Sequence, residues 1–361
     1  MTAWAMAIGP VAVWRVVTHG TTTVWDHEVY PGRTLAPSPD SVAWRSEPGD
    51  LPESVRLDST TAAVEDLFMS TKTLSFVVVE DGAISHEWYG PSHSPDRPTM
   101  LFSVTKSILA LLIGAAIDDG LMGPPSLSAI ASAPDLTQLS GVTIESLLRM
   151  DSNIAYVEDD NPFGTHVEFN YTDDLPGAIA GLRVRNDTDP GFTYKSGDYA
   201  VLSVILGESL DGISLTEYLE ERLWNPLGAE SEGVWSTDRE GGLERAWCCL
   251  AMTARDLARF GQLVLDEGSF DGRRLVSAQW IDAMLSPGFE AERWPADMGA
   301  LANYGYGWWM TESGAWVALG KDGQYLYVDR DRRLVVVRLG ESSGDVSWIE
   351  VIEQLTARDE P

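Results

Sequence analysis

The chain has 361 residues, of which 44% are hydrophobic and 9% aromatic, so it can bury a large core and is not a disordered protein. Its formal charge of -30, from 55 acidic against 25 basic residues, argues against a nucleic acid or an anionic membrane as partner, because both require a cationic protein surface. The length suggests about two structural units.

The first elements are predicted to wrap around the body of the protein. Residues 1–17 are apolar, but they lack a basic flank and contain Arg15, so they are too short for a membrane-spanning helix or a signal peptide. They fit either a weak membrane-surface contact or a helix or strand packed on the body. Residues 1–55 as a whole read as an extended lead-in, since Pro, Gly, Thr and Ser are frequent from Trp14 to Pro52.

A hairpin and a helix come next. Residues 74–90 form two β-rich runs around Asp81-Gly82, which is a strong hairpin signal. Apolar residues then recur at helical spacing from Val104, with Gly120 as a stop.

The rest of the chain predicts a helical insert followed by strands. Residues at about 120–250 alternate short helical stretches with Gly-, Pro- and Asp-rich loops, and residues 253–268 form an amphipathic helix. Strand-like runs follow to about residue 340, before a final helix at about 345–357. We therefore predict an α/β (α+β) catalytic domain over residues 56–361, with an antiparallel sheet completed by both chain ends and flanked by helices.

Ser103 and Lys106 are the first candidate catalytic pair. Residues three apart share one face of a helix, so both side chains would face the same space. A serine hydroxyl becomes a nucleophile when a base takes its proton, and a desolvated lysine amine can do so. Only four of the 25 basic residues are Lys, which suggests that some sites need an amine, although compositional drift explains the scarcity equally well. The alternative for the pair is a helix start with a surface Lys.

The segment "MLFSVTKSILALLIGAAIDDGLM" resembles the nucleophile region of the β-lactamase and penicillin-binding-protein superfamily. The similarity is closest to the branch that contains class C β-lactamases, esterases and 6-aminohexanoate-oligomer hydrolases. Two further motifs of that branch follow in the same order, at Tyr194-Lys195-Ser196 and Lys321-Asp322-Gly323. The resemblance covers roughly residues 25–355 and implies a β-lactamase/transpeptidase-like fold.

The resemblance implies roles for the second motif and for a tyrosine before it. Tyr194 would shuttle a proton as a phenolate stabilised by two neighbouring ammonium groups, and Ser196 would contact substrate. Tyr171, in "FNYTDDLPG", corresponds to a tyrosine that hydrogen-bonds the substrate nitrogen in similar amide hydrolases. Without the motif, either tyrosine would be read as an ordinary packed aromatic.

The third motif departs from the Lys-Thr-Gly of the family, because Asp322 replaces Thr. An acid there would repel a substrate carboxylate, which counts against a dedicated β-lactamase. The resemblance implies that Lys321 tunes the local field, that Gly323 lies against substrate, and that the backbone N–H groups of Ser103 and Gln324 form the oxyanion hole. The alternative is a plain β-turn with a solvated Lys321.

No metal or other cofactor is expected. The five histidines show no metal-ligand spacing, and the adjacent Cys248 and Cys249 supply neither a CxxC metal pair nor a disulfide framework. Core packing is therefore the expected role of both cysteines. Trp308, Trp309 and Trp316 fit core packing better than an acyl pocket.

These residues predict a serine hydrolase that acts on a small-molecule amide or ester through an acyl-enzyme on Ser103. The rival hypothesis is a penicillin-binding protein that hydrolyses or senses β-lactams with slow or no turnover. An α/β-hydrolase is disfavoured, because no His occurs after His166, whereas that class needs its His last in chain order. Neither the substrate nor the oligomeric state is indicated.

Overall fold

A seven-stranded antiparallel sheet forms the centre of the computed structural model, which describes residues 10–20, 22–57, 60–159, 161, 164–185, 191–288 and 301–357. The strands in the described residues are β1 (Gly32–Leu35), β2 (Ser54–Leu57), β3 (Thr60–Ala63), β4 (Thr73–Glu80), β5 (Ala83–Tyr89), β6 (Thr99–Met100), β7 (Gly233–Ser236), β8 (Leu250–Met252), β9 (Ser269–Phe270), β10 (Arg273–Arg274), β11 (Leu301–Tyr304), β12 (Trp309–Thr311), β13 (Trp316–Gly320), β14 (Gln324–Asp329) and β15 (Leu334–Gly340). The strand order of the seven-stranded sheet is β11-β12-β13-β14-β15-β4-β5.

The two chain ends meet in the middle of this sheet. β15 pairs with β4 in antiparallel register, with Val336 opposite Val78, and both strands are buried along almost their whole length. Valine runs such as those at residues 77–79 and 335–337 are typical of strands that are covered on both faces. The predicted hairpin at Asp81-Gly82 and the sheet shared by both chain ends are confirmed.

Helices cover both faces of the sheet and form most of the region between β6 and β7. They are α1 (Pro10–His19), α2 (Val64–Ser70), α3 (Val104–Asp118), α4 (Ala129–Ser132), α5 (Ile144–Leu148), α6 (Thr165–Tyr171), α7 (Leu175–Ala180), α8 (Ser196–Ser209), α9 (Leu215–Leu219), α10 (Ala254–Leu265), α11 (Ala278–Met284) and α12 (Trp348–Leu355).

Helix α3 is a core helix and carries the predicted nucleophile at its start. Every residue from 104 to 116 is buried, so its sequence is apolar all round rather than on one stripe. Gly114 lets the Trp280 ring lie against the helix, since a Cβ at that position would overlap the ring. Gly120, with φ +74°, follows the helix as predicted.

A second sheet refines the predicted organisation. β1 pairs with β7, and β7 and β6 pair with β8, giving the order β1-β7-β8-β6. The lead-in is therefore partly helix and partly strand, and the insert predicted as mainly helical also contributes strands β7 and β8. This sheet ends beside the start of α3, because Leu101 N–H donates to Leu250 O at 2.9 Å.

The apolar N-terminal stretch is described from residue 10. There it forms α1, which packs on α6, and Arg15 donates to the carbonyl of Thr172 at 3.0 Å. None of the helices in the described part of the chain is long and apolar enough to span a membrane.

Candidate active site

Ser103 lies immediately before α3, at the N-cap position, but its hydroxyl does not cap the helix. The Ser103 side chain makes no hydrogen bond to the N–H groups of the first helical turn. Instead, Lys106 Nζ lies 2.8 Å from Ser103 Oγ. Phe102, with φ +47°, holds the turn that leads into the helix. A routine helix-starting Ser would cap the helix, so the geometry favours the catalytic reading of the pair.

Lys106 is anchored from a second side. Its Nζ donates to Trp247 O at 2.8 Å, and its side chain is buried. Burial lowers the pKa of Lys106 to about 8, while the Glu158 carboxylate opposes part of that shift. The neutral amine is therefore a minor but accessible form near pH 7, which allows Lys106 to act as a general base.

Tyr194 lies beside the pair, but its electrostatics differ from the prediction. Its ring centroid is 5.2 Å from Lys106 Nζ, and it stacks on Trp309 at 5.7 Å. Burial, with Glu158 adding to it, raises the pKa of Tyr194 above its usual value, and a hydrogen bond with Ser103 opposes part of the shift. Burial and Glu158 thus oppose the expected phenolate, and the role of Tyr194 as a proton shuttle stays a prediction.

Ser196 is held by an acid that sequence reasoning missed. Glu158 accepts hydrogen bonds from Ser196 Oγ at 2.5 Å and from Ser196 N–H at 2.6 Å. His166 Nδ1 is 3.6 Å from Glu158 Oε1, and His166 Nε2 contacts Asn170 Nδ2 at 3.0 Å. No spacing in the sequence marks this group, because its members come from separate loops and helices.

The third motif forms the turn between β13 and β14. Lys321 Nζ donates to Thr22 O at 3.3 Å and lies 5.6 Å from the centroid of the Phe102 ring. Gln324 is fully buried, and its side chain bridges Lys321 O and Gly340 O at 3.0 and 2.7 Å. Lys321 is thus an exposed turn residue at the edge of the site, and the role of the Gln324 N–H stays a prediction.

The residues lining one cavity of about 130 Å³, called the Ser103 cavity below, include three predicted site residues: Ser103, Ser196 and Lys321. They also include residues that sequence reasoning did not select: Glu158, His166, Asn170, Arg245, Trp247, Cys248 and Cys249. Two larger surface clefts, of about 510 and 700 Å³, contain none of the predicted residues. The smaller cavity is therefore the candidate active site, because it is the one of these three that contains predicted catalytic residues.

Five residues predicted to take part in the site are absent from the wall of this cavity: Lys106, Tyr194, Tyr171, Gly323 and Gln324. Tyr171 donates its hydroxyl to Gly20 O at 2.6 Å, Asp322 and Gly323 lie in the turn, and Gln324 lies behind it. The three tryptophans of the predicted strands are buried, and they too are absent from the cavity wall. The contact of Tyr171 with a substrate nitrogen stays a prediction.

Core packing is only part of the role of the two cysteines, each of which packs against a buried hydrophobic cluster. Cys248 and Cys249 are bonded to each other as a disulfide, and both are partly exposed in the wall of the Ser103 cavity. Sequence reasoning treated adjacent cysteines as packing residues because a disulfide between neighbours staples no loop. The pairing depends on the backbone of the turn before β8.

Comparison with known proteins decides the family. The Beta-lactamase family model matches residues 61–349. The chain belongs to the Beta-lactamase family. It is 30% identical over 339 residues to the 6-aminohexanoate-dimer hydrolase of Paenarthrobacter ureafaciens, covering 83% of this chain and 82% of that protein.

Solved structures agree with this family at the level of fold. A Bacillus anthracis protein assigned as a 6-aminohexanoate-dimer hydrolase has a TM-score of 0.80 at 21% identity, covering 97% of this chain and 96% of that one. A family VIII carboxylesterase has a TM-score of 0.61 at 15% identity, covering 81% and 95%. The Beta-lactamase family member described here thus has the β-lactamase/transpeptidase-like fold, an antiparallel sheet flanked by helices, that its sequence predicted.

Proposed function

We propose that this Beta-lactamase family hydrolase forms an acyl-enzyme on Ser103 and hydrolyses a small linear amide or ester. The observation that carries the proposal is the 2.8 Å contact between Lys106 Nζ and Ser103 Oγ, because Ser103 itself lines a cavity. A nucleophile and base at this distance satisfy the geometric requirement for proton transfer.

Acylation begins when neutral Lys106 takes the Ser103 proton as Oγ attacks the substrate carbonyl carbon. The resulting tetrahedral oxyanion is stabilised by backbone N–H groups, for which Ser103 and Gln324 are the predicted donors. The Lys106 ammonium, held by Trp247 O, then returns its proton to the leaving amine or alcohol. Water repeats the sequence with Lys106 as base, which releases the acid and restores Ser103.

Tyr194 acts as a neutral phenol in this scheme. Its hydroxyl bonds to Ser103 and its ring centroid lies 5.2 Å from Lys106 Nζ. It can therefore relay the proton held by Lys106 to the leaving group, by releasing its own proton as it receives that one, without ever carrying a full charge. Lys321 lies at the rim of the cavity and adds positive potential near the developing oxyanion.

The substrate class follows from relatives and from the shape of the site. One relative is named for hydrolysis of 6-aminohexanoate dimer, a linear amide, and a structural neighbour is a carboxylesterase. The Ser103 cavity is small, about 130 Å³, and its lining carries both acidic and basic groups. These features support linear amides and esters over β-lactams.

Covalent labelling tests the nucleophile. A fluorophosphonate should add once to the wild type and not to Ser103→Ala, and p-nitrophenyl acetate hydrolysis should fall to background in the same variant. Ser107→Ala is the matched control, because Ser107 lies one turn along α3 and does not line the cavity. The Ser107 hydroxyl donates instead to Gly307 O at 2.5 Å. Labelling that survives in Ser103→Ala would contradict the proposal.

Time-resolved intact mass separates an enzyme from a sensor. After mixing with excess ester, linear amide or nitrocefin, an enzyme shows a transient acyl mass and returns to its starting mass. A protein that stays acylated by nitrocefin and ignores esters and amides would instead support the β-lactam-sensing alternative.

A further inference from the structure

The Cys248–Cys249 disulfide lies beside the residue that anchors the general base. Both cysteines line the Ser103 cavity, and the preceding residue, Trp247, supplies the carbonyl that accepts the Lys106 hydrogen bond at 2.8 Å. The scheme proposed above uses the carbonyl but leaves the disulfide without a role.

Backbone hydrogen bonds hold Cys249 at both its N–H and its carbonyl. Cys249 N–H donates to Arg245 O at 3.1 Å, and Ser236 N–H of β7 donates to Cys249 O at 2.9 Å. β8 starts at the next residue, Leu250. The direction of the Trp247 carbonyl is therefore set by a short turn with one end joined to the sheet and the disulfide closing a small ring within it.

We propose that Cys248 and Cys249 form a reversible redox site that switches the hydrolase between two activity states. In the oxidised state the ring holds the turn so that Trp247 O faces Lys106. In the reduced state the turn relaxes and the anchor on Lys106 weakens. The effect on activity rests on the function proposed above, whereas the thiol chemistry does not.

The reductant is a dithiol. One of its thiolates attacks a sulfur of the pair, which breaks the Cys248–Cys249 bond and forms a mixed disulfide. Its second thiol then displaces the protein sulfur. Two electrons and two protons pass to the protein, which gains two thiols, and the reductant becomes a disulfide.

The oxidised state should be the more active one for a steric reason. Two non-bonded sulfur atoms cannot stay at bonding distance, so reduction must move at least one cysteine side chain. With Ser236 holding Cys249 O in the sheet, the movement falls mainly on Cys248 and on Trp247 before it. A displacement of the lysine amine relative to Ser103 lowers the rate of acylation.

Thiol counting in the native protein tests the redox site. The chain has only two cysteines, so every thiol signal belongs to this pair. Native protein should take up no N-ethylmaleimide, and protein treated with dithiothreitol should take up two molecules by intact mass. Ser103→Ala should give the same counts, because the thiol chemistry does not need the nucleophile. Two thiols before reduction, or none after it, would overturn the proposal.

Activity before and after reduction tests the switch. Reduction should lower kcat for a p-nitrophenyl ester by about fivefold to a hundredfold, and reoxidation with diamide should restore it. Because Trp247 O stabilises the Lys106 ammonium, its loss should also move the acidic limb of the pH–rate profile to lower pH. Equal kcat values and equal profiles in the two states would overturn the switch.

The double variant Cys248→Ser/Cys249→Ser provides an independent check. It should resemble the reduced wild type in kcat and show no response to dithiothreitol. If it does not fold, the reversible reduction of the wild type decides the question alone. An oxidised wild type with no Ser103 adduct would refute the proposed function and leave the thiol counts standing, so the two failures are distinguishable.

Discussion

At the scale of single residues, the environment of Lys106 decides what it can do. Arg is always protonated in proteins, so only Lys among the cationic side chains can serve as a base. Burial lowers the pKa of Lys106 from 10.5 to about 8, so about a tenth of the amine is neutral at pH 7.

The first prediction concerns the pH profile. Since the active form of Lys106 is neutral, kcat/KM for an ester should rise with pH and level off above a midpoint near 8. Lys106→Arg should lower kcat/KM by about 10²- to 10⁴-fold, because its guanidinium cannot accept the Ser103 proton. Stopped-flow or steady-state rates from pH 6 to 10 provide the measurement.

Lys195 provides the control for this profile. It is also a buried lysine, but its Nζ pairs with Asp198 Oδ2 at 3.3 Å, and it does not line the cavity. Lys195→Met should reduce stability and leave the midpoint unchanged. If the midpoint moves in Lys195→Met but not in variants around Lys106, the titrating group is Lys195, and the assignment to Lys106 is wrong.

At the scale of elements, the turn between β13 and β14 is built around a buried arginine. Arg338 Nη1 donates to Gly323 O at 2.5 Å, and its guanidinium lies 3.9 Å from the centroid of the Trp348 ring. Gly323 has φ +83°, and a Cβ on it would overlap Arg338 Nη1. The glycine of the third motif is therefore required by packing as well as by backbone conformation.

A pair of glycine variants separates these two requirements. Gly314 has φ +89° with open space around it, so Gly314→Ala should cost about 1–2 kcal/mol of unfolding free energy from backbone strain alone. Gly323→Ala should cost about 1–3 kcal/mol more, because Arg338 must move. Urea denaturation gives both values, and equal losses would show that the Arg338 contact contributes nothing.

The sequence predicted most elements near the site, because their signals are local. The hairpin at Asp81-Gly82 and the helix from Val104 depend on period and on turn residues, which short windows contain. Strands β7 and β8 are too short to show such a pattern in the sequence, since a strand of three or four residues is defined by the strands it pairs with. The same applies to Glu158, which reaches Ser196 only through the fold.

At the scale of the whole molecule, the net charge of -30 determines how stability depends on salt. Like charges repel in the compact state, and salt screens that repulsion, with a Debye length of about 10 Å at 0.1 M and about 3 Å at 1 M. The free energy of unfolding should therefore rise between 0.1 and 1 M NaCl, by on the order of 1 kcal/mol.

Urea denaturation at several NaCl concentrations tests this expectation. Sodium sulfate at equal ionic strength is the control, because it also strengthens apolar burial by exclusion from the protein surface. A gain in sulfate with none in NaCl would assign the effect to exclusion, and the charge argument would then be wrong.

The sequence by itself determined the family, the fold class and the Ser103–Lys106 pair, because these depend on residue types at fixed local spacing. The tertiary structure alone decided that Tyr194 lies where burial raises its pKa, that Lys321 lies at the rim, and that Cys248 is bonded to Cys249 in the cavity wall. Protonation state depends on burial and on charges from distant segments, and a bond between neighbouring cysteines depends on the path of the backbone. Neither quantity is contained in the spacing of residues along the chain.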